Sequence, residues 1–182
     1  MKYALLAICL LTFSAMALAE ENQSLDCGYT PKKTQDNPNP EFQVYTDCLD
    51  KDSLGAFRMR GHHFKALDFS EQQFIGILIE KDRWGYINRN NKIIVMLAFD
   101  NGPDYFSEGL ARTVDNGKIG FVNEALDVVI PPQFDAAFPF ENNRAKVGRQ
   151  CATIQDGEHR LWECRQWFEI DKTGKRIDGS LR

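Results

Sequence analysis

A chain that repeats itself has few ways to fold, and between Trp84 and Val147 this one is nearly the same segment written twice. The first copy opens Trp84 Gly85 Tyr86 Ile87 Asn88, runs through Ile93 Ile94 Val95 to Phe99 Asp100, and closes on Phe106 Ser107 Glu108 Gly109 Leu110 Ala111. The second opens Ile119 Gly120 Phe121 Val122 Asn123, runs through Val128 Val129 Ile130 Pro131 Pro132 Gln133 to Phe134 Asp135, and closes on Phe140 and Ala145. Gly85 to Gly120, Ile94 to Val129 and Phe99 to Phe134 are each 35 positions apart. Repeats of this length are units that bury their apolar faces against one another, so the pattern constrains architecture before it says anything of activity.

Within one unit the residues read as strands. Trp84 to Asn88 and Lys92 to Phe99 are rich in aromatic and branched residues, with Arg89 Asn90 Asn91 as the turn between them. A loop through Asn101 Gly102 Pro103 Asp104 leads to a third strand at Leu110 to Val114, and Asp115 Asn116 Gly117 turns into the next unit. The expected fold class is all-β: three-stranded antiparallel meanders of about 35 residues, packed into one elongated or barrel-like domain over 42–182. Its parts are a degenerate repeat at 48–83 with Leu49 in the slot of Trp84, repeats at 84–118 and 119–147, a hairpin insertion at 148–166, and a partial repeat at 167–182 that opens on Trp167. Gly85 and Gly120 suit a bulge or a close backbone approach, and Pro131 Pro132 a strand edge or end. Residues 20–41, with Pro31, Pro38 and Pro40, read as an extended surface arm capping the stack.

The first 19 residues carry the marks of a secretory signal: Lys2, an apolar run from Tyr3 to Phe13, and Ala17 Leu18 Ala19 before the cut. The rival, a membrane anchor, needs a longer apolar run than this one. Cleavage after Ala19 leaves 163 of the 182 residues, one domain's worth, destined for the periplasm or secretion. The net charge of −4 becomes −5 without Lys2, which argues against nucleic acid or an anionic membrane as partner. From Ala98 to Asn143 there are eight acidic residues against Arg112 and Lys118, so the middle of the chain is acidic.

Export bears on the cysteines. Cys9 lies in the signal, leaving Cys27, Cys48, Cys151 and Cys164, an even set that implies two disulfides in an oxidising compartment. Asp156 Gly157 Glu158 His159 reads as a two-residue hairpin turn, in which paired residue numbers add to 315. Cys151 and Cys164 satisfy that register, which leaves Cys27 for Cys48. The alternatives are free thiols or a metal site, and no CxxC spacing supports the latter.

No other motif carries chemistry. His62 His63 beside Arg60, read as part of a strand, point to opposite faces and do not converge on a metal. Asp50 to Gly61 begins like a calcium loop but has Leu54 at the fifth position and Gly61 at the twelfth. Hydrolase, zincin, P-loop and dinucleotide signatures are absent. Asp100 and Asp135 recur at one repeat position, which suits a turn or hydrogen-bonding role. Phe99, Tyr105, Phe106, Phe134, Phe138 and Phe140 fit either a binding groove or, at repeat spacing, the shared core.

With these residues in hand the chain resembles the WG-repeat family of bacterial proteins. Trp84 Gly85 Tyr86 Ile87, Phe106 to Ala111, and Val129 Ile130 Pro131 Pro132 Gln133 Phe134 Asp135 carry the likeness. Ile119 and Leu49 replace the tryptophan, Phe168 the glycine, and Met96 Leu97 the prolines. The resemblance implies an interaction scaffold with no catalytic residues and no cofactor. The reading is therefore a non-enzymatic exported module that binds a protein or an envelope component. The alternatives are a small periplasmic enzyme on envelope peptides or glycans, and a periplasmic inhibitor or immunity protein. A non-reduced peptide map of the exported protein is expected to link Cys27 to Cys48 and Cys151 to Cys164; a peptide joining Cys27 to Cys151 would overturn the pairing.

Overall fold

The structure, a computed structural model, describes residues 23–156 and 159–177. The signal expected at 1–19 lies outside the described residues, as do Gly157 and Glu158 in the hairpin turn. In chain order the elements are β1 Gln23–Tyr29, β2 Gln43–Lys51, β3 Phe57–Met59, a helical turn α1 Gly61–Lys65, β4 Phe74–Ile79, β5 Arg83–Asn88, β6 Ile93–Met96, β7 Ala98–Phe99 and β8 Gly102–Pro103. They continue with β9 Leu110–Asp115, β10 Lys118–Asn123, β11 Val128–Phe134, β12 Ala136–Ala137, β13 Ala145–Asp156 and β14 His159–Ile170. Nine strands make one curled antiparallel sheet in the order β11-β10-β9-β6-β5-β4-β1-β2-β3, β12-β13-β14 a second, and β7-β8 a small ladder. The fold is the all-β, meander-built one that the repeat implies. Among the described residues no helix is long and apolar enough to cross a membrane.

The repeat is written in hydrogen bonds. Asn88 donates its N–H to the Lys92 carbonyl while its Oδ1 accepts the N–H groups of Asn90 and Lys92. Asn123 does the same with Asp127 and Ala125, Asp171 with Lys175 and Thr173, and Asp52 with Ala56 and Leu54. Short Asx side chains close turns this way because they reach the backbone two and four residues on. The fourth residue of each turn has positive φ: Gly55, Asn91, Leu126 and Gly174. Leu126 is the costly choice at such a position, and its side chain is wholly buried. The Asp52 turn lies 36 residues before Asn88, so Cys48, not Leu49, holds the place of Trp84. Apolar pattern alone tolerates a one-residue slip that the turn does not.

Both motif glycines sit where backbones meet. A Cβ on Gly85 would lie 2.7 Å from the Ile94 carbonyl oxygen, and one on Gly120 2.6 Å from the Pro132 nitrogen. Ile119 pairs with Phe134 and Phe121 with Ile130, so Pro131 Pro132 Gln133 bulge across the single Gly120. The prolines lie on β11, the outermost strand of the nine, where no ladder partner needs their missing N–H.

One boundary is corrected. The segment 20–41 is not a surface arm throughout: β1 runs through the middle of the sheet between β2 and β4, with Leu25, Cys27 and Tyr29 buried. Its alternation is real and its prolines begin only at Pro31, so the proline-rich stretch is a loop over 30–42 and not a cap. The far edge is held differently. Asn91 in the β5–β6 turn donates to the Met59 carbonyl and accepts the Met59 N–H, both at 2.8 Å, so a side-chain amide stands in for a strand and curls β3 towards β6. Leu49, Met59, Ile77, Ile79 and Ile87 pack one core, Phe121, Ile130, Phe134, Phe140, Val147 and Ile170 a second, and Tyr86, Met96, Ala111, Val122 and Leu126 a third.

Gly120→Ala is expected to destabilise the protein by roughly 1 to 3 kcal/mol in urea unfolding, because the backbone it meets cannot give way locally. Gly61→Ala, at a site with no neighbour within 4 Å of the added carbon, is the control and is expected to leave stability unchanged or slightly raised.

Candidate functional site

The cysteine hairpin is the ordinary junction between repeats, drawn out. The β9–β10 junction ends at the Asp115–Lys118 pair, whereas β13 and β14 run on from the Ala145–Ile170 pair to Asp156–His159 in one register. That register places Cys151 opposite Cys164, as the turn implies, and the two stand at disulfide distance, as Cys27 and Cys48 do with Cα atoms 5.8 Å apart. Cys27 and Cys48 are fully buried across a bulge in β2, where Leu25 faces Leu49 but Cys27 faces Tyr45. Gly148 makes room at the hairpin's base: a Cβ there would lie 2.8 Å from Cys151 Sγ and 3.1 Å from Trp167 Cζ3.

Around that base three aromatic rings gather without being buried. Phe138, 45 % exposed, stands 6.0 Å from Trp162 edge-on and 5.7 Å from Trp167, and Lys146 holds its ammonium 4.7 Å from the Trp167 ring centre and 5.8 Å from that of Phe138. The Phe138 N–H bonds to the Lys146 carbonyl, so β12's extension and β13 fix the ring and the cation side by side. Further along the ribbon Ile154 and Leu161 face each other, both more than two-fifths exposed. Exposed aromatics on a rigid two-stranded support offer area for stacking and apolar contact at low entropic cost. Trp167 is thus brought to the Cys151–Cys164 pair, while Trp84 lies on β5 beside the Phe42 ring, 5.9 Å away.

The repeat-spaced aromatics divide. Phe134 and Phe140 are core, but Phe99, at the slot of Phe134, is 51 % exposed because it sits on the tiny β7–β8 ladder and not at the end of a long strand. Beside it is a polar arrangement the sequence does not announce. Asp104 takes Arg112 Nε at 2.9 Å, its Nη2 at 2.6 Å and its backbone N–H at 2.8 Å, while Arg112 Nη1 donates to the Ala137 carbonyl at 3.0 Å. Both side chains are buried, and the pair pins the β7–β8 loop to β9 and β9 to the next unit.

Half of the acidic middle is likewise engaged. Asp127 pairs with Lys92, Asp135 with Lys118 and Glu108 with Lys172, and Glu108 also accepts the Asn143 N–H. Those partners hold the Asp127 and Asp135 carboxyls below the usual carboxylate range, led by Lys92 and Lys118, and the Asn143 N–H does so for Glu108. Asp100 has positive φ in a turn and Asp135 takes the Cys151 N–H, the turn and hydrogen-bonding roles expected of that slot.

The histidine reading is corrected. His62 and His63 lie in α1, not a strand, and their rings stand 4.0 Å apart. His63 is buried against Tyr29, its Nδ1 2.8 Å from the hydroxyl, and burial pushes its pKa down and that of Tyr29 up to about 12. With Arg60 held by Asp50, the group is a packed support for β1; among the described residues no group of three or more His, Cys, Asp or Glu is placed to hold a metal ion. A groove of about 750 Å³ opens elsewhere beside Phe57, and its cations Lys51 and Arg83 stand over that ring.

The family model for the WG containing repeat matches residues 84–118 and 119–148, so the chain carries two tandem WG repeats. No curated protein and no solved structure matches it. Asp104→Asn is expected to lower stability by about 3 to 5 kcal/mol in denaturant unfolding, since it leaves the Arg112 guanidinium buried without its counter-charge.

Proposed function

We propose that this WG-repeat chain is an exported, non-enzymatic interaction module whose binding face is the Phe138, Trp162, Trp167 and Lys146 platform on the drawn-out hairpin. The observation that carries the reading is that platform. Elsewhere the motif residues serve the stack, as Gly85 and Gly120 do against neighbouring backbone, whereas these three rings converge where Phe138 is exposed and Trp162 and Trp167 are half-buried, Trp162 with one side against the core. A protein or an envelope polymer with apolar or sugar faces fits such a surface. Export is supported by the signal-like first 19 residues and by two cysteine pairs compatible with an oxidising compartment.

The non-enzymatic part is supported by what the carboxylates do. Asp104 is locked on Arg112, and Glu108, Asp127, Asp135 and Asp171 are held as ionised acceptors of hydrogen bonds within the fold, the opposite of what a general acid needs near neutral pH. The same pairing weakens the motive for an inhibitor of basic proteins, because four of the eight acidic groups of the middle segment are matched by cations of this chain.

Cross-linking the mature protein in envelope extract is expected to recover a specific partner that is lost with Phe138→Ala or Trp167→Ala. Each change should weaken capture by roughly tenfold or more, as hot-spot aromatics do, while the unfolding temperature holds. Equal recovery by wild type and both variants would refute the platform as the binding face.

A further inference from the structure

We infer that the outward edge of β14 pairs with the same edge of a second copy of this chain, joining two hairpins into one antiparallel sheet across a two-fold axis at Cys164. β14 is the last strand of the β12-β13-β14 sheet, and one side of it is taken by β13. On its other side the chain returns only at the end: Arg176 bridges to Ile170, and Ile177 donates to the Glu169 carbonyl. From Leu161 to Phe168 no described residue pairs with that edge. Every second residue of an edge strand turns its N–H and C=O outward, and such a row is a template for another strand.

Proteins blunt these edges with proline, bulges or like charge, and this one has none of the three. It carries no proline, it keeps one register with β13, and its two central exposed charges are of opposite sign. Glu163 and Arg165 flank Cys164, and among the described residues neither has an ion pair. Glu163 faces Ala152 across the hairpin, so nothing on β13 answers its charge. Two copies set antiparallel about Cys164 bring Glu163 opposite the partner's Arg165 and Arg165 opposite the partner's Glu163. Directly opposed unlike charges stabilise a strand pair, and the symmetry supplies two such pairs.

The register agrees with the rest of the strand. It sets odd residues against odd, so outward-turned backbone groups meet on both copies. It also places Leu161, 46 % exposed, opposite the partner's Trp167, giving apolar contact at each end of the paired stretch. A single-sign or hydrophilic edge would not fit itself in this way. The second copy is favoured over a foreign extended peptide because both the charge order and the apolar ends are self-complementary about one residue.

Sedimentation equilibrium of the mature, oxidised protein tests this with three variants. Wild type is expected to dimerise. Glu163→Arg and Arg165→Glu each set like charges opposite one another twice, and each is expected to raise the dissociation constant at least roughly tenfold. The double variant E163R/R165E, which reverses the order and keeps the complementarity, is expected to return the constant to near the wild-type value. Both positions are exposed, and circular dichroism confirms that each variant keeps its fold. A wild type that stays monomeric at high concentration, singles that dimerise as wild type does, or a double that stays as weak as the singles would each overturn the register. The Phe138→Ala arm of the partner capture above is independent of this outcome, since Phe138 lies off β14, whereas Trp167 stands in both surfaces.

Discussion

The fold depends on one small device, an Asp or Asn whose side chain closes a five-residue turn. In a hairpin the turn sets the register, and a register error of one residue would send every side chain to the wrong face. The four Asx turns at Asp52, Asn88, Asn123 and Asp171 therefore decide which residues become core. They also place the motif glycines. Gly85 and Gly120 each stand three residues before the turn Asn, where the neighbouring strand's backbone crosses, and in the second unit that crossing is the Pro131 Pro132 bulge. A proline pair cannot complete a ladder, so the unit uses it where a bulge is needed and lets the glycine receive it. Between units the link is polar. Lys92 reaches Asp127 and Asn143 reaches Glu108, both one repeat length on, so each unit binds the next through equivalent positions.

Much of this was legible because it is local. Strands, turn positions, the 35-residue step and the Cys151–Cys164 pairing all follow from residues within a few positions or a hairpin of one another. What escaped the sequence was decided by neighbours distant in the chain. Gln23 to Tyr29 alternates as a strand should, but its sheet partners β2 and β4 come later, and the prolines from Pro31 onward coloured the whole segment as arm. Gly61 to Lys65 is too short for a helical period to show, so in the sequence the two adjacent histidines fit a strand's alternation equally well. Asp104 and Arg112 look like surface charge eight residues apart, and their burial depends on the Ala137 carbonyl, a group of the next unit. Phe99 and Phe134 share a repeat slot yet differ in exposure, since only the first unit interposes the β7–β8 ladder.

The candidate site was half legible. The hairpin stands out in the sequence as the stretch the repeat does not measure, and Trp167 as the motif residue that resumes the repeat just after it. Trp162 and Lys146 had no such mark. Their role appears only when the constant register carries β14 back along β13 and brings Phe138 from the preceding strand to the same place. The resemblance to WG repeats described the stack and was silent on this extension, because the family unit ends where the strands begin to lengthen.

The extension argues for function on energetic grounds. A repeat is stable because each unit lies on another, but beyond Cys151 and Cys164 the described ribbon pairs only its own two strands, with Trp162 alone shown packing back against the core. A two-stranded hairpin alone is marginal in water. The Cys151–Cys164 cross-link, closing a separation of 13 residues, supplies about 3 kcal/mol in the chain-entropy account, on the order of what such a ribbon lacks. Nothing in the stack requires the ribbon: β9 and β10 show that the junction closes at Asp115 and Lys118 without one. The chain has thus lengthened two strands past its core, kept Ile154, Leu161 and three aromatic rings at the surface, and braced the result covalently. Each of these runs against stability or solubility when taken alone. Together they support the proposed reading of this face as a contact surface, with the repeats behind it as its mounting.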